Sequence, residues 1–118
     1  MPVCYLTISE SVRELKDSEI NSIRDIVAEG LNSKSRLLDR NHIVIRLQKS
    51  QRRFMLGEIE IDVFAQFFFR RFFSRDRRAE FISNKVCELI GNDCATWINM
   101  SIVGYSRVTK EGKAYFSD

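Results

Sequence analysis

Ile59, Ile61, Val63, Ala65, Phe67 and Phe69 occupy every second position of one segment, with Glu58, Glu60, Asp62, Phe64, Gln66 and Phe68 between them. Only a pleated strand sends alternate side chains to opposite faces, so this period of two commits the chain to a sheet with one wholly apolar face. Three further segments carry the same signal. Val3 to Ile8 is rich in residues that suit a strand, Ile43, Ile45 and Leu47 alternate with Val44, Arg46 and Gln48, and Ile98, Met100 and Ile102 alternate with Trp97, Asn99, Ser101 and Val103.

Between the strands the period changes to that of a helix. Ile20, Ile23, Val27 and Leu31 recur at three- and four-residue spacing after a cap at Asp17 or Ser18, and Gly30 and Asn32 fray the end. Ala79, Ile82, Val86, Leu89 and Ile90 form a second stripe after a cap at Ser74 or Asp76, with Gly91 and Asn92 as the stop. The order is β-α-β-β-α-β. Residues 2–50 and 58–105 repeat one β-α-β unit, and together they predict a single α/β domain over residues 1–118, with two helices on one face of a four-stranded sheet. The other face presents Tyr5, Thr7, Val44, Arg46, Phe64, Phe68, Trp97 and Val103. Such a face is too apolar to stand in water, which predicts self-association through the sheet.

Composition removes several classes of function. Nineteen Lys and Arg against sixteen Asp and Glu give a net charge of +3, which leaves an anionic small molecule open but does not mark a nucleic-acid protein without a patterned patch. No run approaches the ~20 apolar residues of a membrane span, and no leader-like start is present, so a cytoplasmic location without membrane contact is expected. Cys4, Cys87 and Cys94 are an odd set without CxxC spacing, and His42 is the one histidine, so neither a disulfide framework nor a metal centre is expected. Walker and GxGxxG loops are absent from the sequence as well. His42 stands at the head of a strand without a nucleophile motif.

Pro2 leads directly into the first strand. With Met1 removed, it becomes a secondary amine held at a strand end, and burial or a neighbouring arginine would keep such an amine neutral enough to act as a general base. With Met1 retained, it is an ordinary imide without a basic nitrogen.

A Met-Pro start opening a strand, Arg13 within Ser11-Val12-Arg13-Glu14, and two β-α-β units in one short chain resemble the tautomerase superfamily. The likeness is to its long-chain branch, which contains 5-carboxymethyl-2-hydroxymuconate isomerase and macrophage migration inhibitory factor. The resemblance implies a homotrimer whose sheets form a barrel with the helices outside, a cofactor-independent proton shift in a small anionic keto or enol acid, and Pro2 as the base. It also implies a carboxylate-gripping role for Arg13, with Arg46 as a second clamp two residues beyond the position at which the family carries its second-strand arginine. Trp97-Ile98-Asn99 resembles an aromatic-Ile-Asn segment that lines a neighbour's pocket, so Trp97 and Asn99 are expected pocket walls together with Phe64.

Two other classes remain open at this stage. Phe67-Phe68-Phe69-Arg70-Arg71-Phe72-Phe73 interleaves arginine with aromatics, and the order of elements is also that of ferredoxin-like RNA-binding domains. The glycine-bearing aromatic signature of those domains is missing from the third strand. The same bulky run would fill a pocket, which fits a catalytically silent trimer that binds a protein or metabolite.

Overall fold

In the computed structural model, which describes residues 2–33, 37–66 and 69–101, the alternating segments form one four-stranded sheet. Strand β1 spans Val3–Ser9, β2 Val44–Ser50, β3 Ile59–Gln66 and β4 Cys94–Ser101. Helix α1 covers Asp17–Leu31, a short α2 covers Phe69–Phe73, and α3 covers Arg75–Ile90. The order across the sheet is β2-β1-β3-β4, with β1 parallel to β2, β3 parallel to β4, and β1 antiparallel to β3. Each β-α-β unit therefore keeps its two strands side by side, and the units join along β1 and β3. A ferredoxin-like sheet instead splits the unit by inserting a strand between the two parallel ones.

The strand period decides which face is buried. Cys4, Leu6 and Ile8 on β1 stand beside Val63, Ile61 and Ile59 on β3, and all six are buried. From the helices, Ile23, Val27 and Leu31 of α1 and Ile82, Val86 and Ile90 of α3 close over them. Burying one such aliphatic side chain contributes about 1.5–3 kcal/mol, so this layer is the main source of stability. The helices do not reach the β2 edge, where Leu47 remains 55% exposed.

Local chemistry places the ends of the elements. The first residue of α1 is Asp17, but the capping group is Glu19, whose Oε1 accepts the Lys16 N–H at 3.0 Å. At the other end of α1, Gly30 is buried against α3 and lies inside the helix. A Cβ there would sit 2.6 Å from Ile82 Cγ1, so the glycine permits the close approach of the helices. Arg78 of α3 joins the two: its Nη1 donates to the carbonyls of Gly30 at 2.9 Å and Asn32 at 2.8 Å, satisfying the open end of α1. Gly91, at φ +87°, ends α3.

One strand is shorter than its alternation implies. β3 stops at Gln66, and Phe69 belongs to α2; Phe67 and Phe68 lie outside the described residues, as do Ile102 and Val103. The reason is visible at Arg71, which is 3% exposed and whose Nη1 donates to the Gln66 carbonyl at 3.1 Å. A guanidinium cannot continue an apolar strand face, whereas a helical turn folds it back onto a main-chain acceptor. Among the described residues, no helix is long and apolar enough to cross a membrane.

Candidate active site

Pro2 is buried immediately before β1, and its carbonyl accepts the Val44 N–H at 3.1 Å, which fixes it between the starts of β1 and β2. Because β1 and β3 are antiparallel and β4 follows β3, the same end of the sheet carries the last residues of β3 and β4. Register then places Val3 beside Phe64, and Phe64 beside Asn99. Two residues along, Arg46, Tyr5, Asp62 and Trp97 form the next row across the same face. Tyr5 and Phe64 meet edge to face with ring centroids 5.6 Å apart.

Five of the six predicted residues therefore share one end or one face: Pro2 at the strand head, and Arg46, Phe64, Trp97 and Asn99 on the side of the sheet away from the helices. The sixth does not. Arg13 follows the opposite end of β1, seven strand residues from Pro2, or about 23 Å at ~3.3 Å per residue. Its guanidinium is held by both carboxylate oxygens of Glu19, at 2.8 and 2.6 Å. That pair holds the Glu19 carboxyl well down, at about 2, first through the hydrogen bond from Arg13 and then through the Lys16 N–H.

Among the described residues, Arg71 is a buried cation that does stand toward the Pro2 end. Sequence reading passed over it inside the Phe-rich run, although the internal repeat points to it: as Arg13 follows β1, the Arg70-Arg71 pair follows β3. Antiparallel pairing of β1 with β3 sends these two arginine positions to opposite ends of the sheet.

A cleft of about 190 Å³ opens at the β4 edge, where Trp97 and Asn99 meet Thr96, Ala79, Arg75 and Asp76. Arg75 lies over the Phe72 ring at 4.2 Å, so α2 steadies the cation at its rim. Among the described residues, Asn99 Nδ2 reaches only the Val63 carbonyl, at 3.5 Å, the long limit of a hydrogen bond, and so keeps donor capacity for a ligand. A larger cleft of about 290 Å³, formed by Glu29, Gly30, Arg77, Arg78 and Phe81, lies between the helices and contains none of the predicted residues. His42 has a local role, with Nδ1 accepting the Asp39 N–H at 3.0 Å in the 3-10 turn before β2.

No family model matches this chain, and no curated protein matches it in sequence. Solved structures do match in shape. One, described as a fused 4-OT wild-type symmetric trimer, superposes with a TM-score of 0.62 at 10% identity over 95% of this chain and 94% of its own. N1, a member of the cis-3-chloroacrylic acid dehalogenase family, gives 0.60 at 11% identity over 94% of this chain and 81% of its own. A macrophage migration inhibitory factor-like protein from Entamoeba histolytica gives 0.54 at 12% identity over 89% of this chain and 95% of its own. At such identities the likeness is one of fold.

Proposed function

We propose that this chain, which has the fold of the tautomerase superfamily, is a cytoplasmic single-domain protein that assembles as a homotrimer. In that form it shifts a proton within a small anionic keto or enol acid, using Pro2 as the general base and no cofactor. The observation that carries this reading is the burial of Pro2 at the head of β1, on the sheet end that also holds Phe64, Asn99 and the buried Arg71.

The chemistry follows from that company. With Met1 removed, Pro2 carries a secondary amine whose charged form burial disfavours, and Arg71 adds positive charge at the same end of the sheet. The neutral nitrogen takes the proton from the carbon next to the substrate carbonyl and becomes an ammonium, while the electron pair moves onto the carbonyl oxygen as an enolate. The ammonium then returns the proton to a different atom of the conjugated system, restoring the neutral amine. Asn99 is suited to donate to the enolate oxygen, and an arginine is suited to take the substrate carboxylate with two parallel hydrogen bonds. Arg71 and Arg46 stand on the protomer that carries Pro2. Arg13 fits the scheme from a neighbouring copy, exchanging Glu19 for the substrate, and Trp97 and Phe64 supply apolar walls.

The test is deuterium exchange at the carbon beside the keto group of small α-keto acids, followed by NMR, with the tag-free protein and its Pro2→Ala variant. Exchange slower by about 10²–10⁴ in the variant is the expected result for a lost general base. Equal rates would overturn the reading. A binding role on the same trimer is the alternative, and the bulky run Phe67-Phe68-Phe69-Arg70-Arg71-Phe72-Phe73, which would fill a pocket, is the feature that favours it.

A further inference from the structure

On the open face of the sheet, β3 carries Glu60 and Asp62, and Glu58 stands just before the strand; all three carboxylates are half-buried. Their cross-strand neighbours are Tyr5 and Thr7 on β1 and Trp97 and Ala95 on β4, none of them a cation. Arg46 is the one basic residue that register places on this face among the described residues, and it lies on β2, two strands from Asp62 or about 10 Å at ~4.8 Å per strand. Two of the three have partners: Glu58 accepts from the Asn92 side-chain amide, and Glu60 Oε1 accepts the Leu56 N–H at 2.6 Å. Among the described residues, Asp62 has neither an ion pair nor a hydrogen-bond donor to its carboxylate.

We infer that assembly of this protein is coupled to proton uptake at Asp62, so that the trimer tightens as pH falls and loosens as pH rises. The inference rests on the trimer reading above. In a closed ring with the open faces turned inward, each protomer brings Glu60 and Asp62 but a single cation, Arg46, to the enclosed space, so Asp62 meets more carboxylates than cations there. Covering the face also removes the water that still reaches Asp62 through Tyr5 and Trp97. Both effects disfavour the charged form. Already in the single protomer the Asp62 carboxyl is raised above the ordinary carboxylate value, first by burial and then by Glu60. The groups that face it are Glu60, the Tyr5 phenol and, more distantly, Glu58 and Arg46; the helices pack on the opposite side of the sheet. A carboxyl raised further in the assembled state favours assembly below its value in the free protomer, and the gain is lost as pH rises through its value in the trimer.

Sedimentation velocity of the tag-free full chain at about pH 5.5 and about pH 8.5, with far-UV circular dichroism to confirm the fold, tests this. If each protomer takes up one proton, the trimer association constant falls by as much as ~10³ per pH unit across the titration. Asp62→Asn is expected to assemble at both pH values with that slope removed, and Glu60→Gln to weaken the slope by taking away the neighbouring charge. A wild-type trimer indifferent to pH, or a slope unchanged in Asp62→Asn, overturns the inference and leaves the trimer standing. A trimer that persists at high pH until EDTA is added also overturns it, in favour of a bridging cation. Monomers at every pH overturn the inference and the trimer reading together.

Discussion

Arg78→Met removes the one side chain that, among the described residues, ties α1 to α3 through polar contacts, and its cost can be worked from three distances. Nη1 donates to the Gly30 and Asn32 carbonyls at 2.9 and 2.8 Å, and Nε donates to Ser74 Oγ at 2.8 Å. Burial pushes the guanidinium down from its ordinary value, because it gives up some water to hold this position. A hydrogen bond from a charged donor contributes about 1.5–3 kcal/mol when buried. Arg78 is only half-buried, so the two carbonyls regain water in the variant, and methionine keeps the apolar stem. Each of the three bonds therefore contributes well below that range, about 0.7 kcal/mol, or about 2 kcal/mol in all. In a chain of this size that corresponds to a fall in melting temperature of roughly 8 °C. Urea unfolding followed by circular dichroism gives the number, at fixed protein concentration because assembly contributes to apparent stability. Arg78→Lys is expected to recover about half of the loss, since an ammonium reaches one carbonyl and not two. Arg78→Met within about 0.5 kcal/mol of the wild type would refute the reasoning.

Two further predictions concern titration. The Glu19 carboxyl is expected to titrate at about 2 by NMR and to return toward the ordinary carboxylate range in Arg13→Ala; a wild-type midpoint in the ordinary range would show that the pair is not formed in solution. Because the folded value is the lower one, the stability Glu19 contributes is present above its unfolded value and is lost as pH falls toward 2. Cys4 and Cys94 are both pushed up to about 12, chiefly by burial, so neither should be alkylated by iodoacetamide at neutral pH while the protein is folded. Rapid native labelling at either position, read by peptide mass spectrometry, would contradict the packing described.

The elements were legible in the sequence because they are governed by a period. Ile23, Val27, Leu31, Ile82 and Val86 follow helical spacing and are all buried, and the odd positions of β3 follow strand spacing as far as Ala65. Alternation alone does not say where a strand must stop. Arg71 needs a carbonyl for its buried guanidinium, and that need turns the chain into α2. Nor does local sequence say which ends of two strands meet. The antiparallel join of β1 and β3 separates Arg13 from Pro2 and brings Arg71 to the proline's end, and no residue near Arg13 records it. The same holds for Gly30, which reads locally as a helix terminator and serves instead as a packing site for Ile82 across 52 positions of chain.

The chain contains a single proline, so protein labelled with ¹⁵N only at proline gives one resonance, and that resonance reports the central claim directly. Taken from protein matured without a tag, it is expected in the amine range and should move with pH as the nitrogen loses its proton near neutrality, as a general base held by burial requires. A resonance in the imide range that is indifferent to pH would mean that Pro2 is acylated by a retained residue and has no lone pair to offer, and the proposed chemistry would fall.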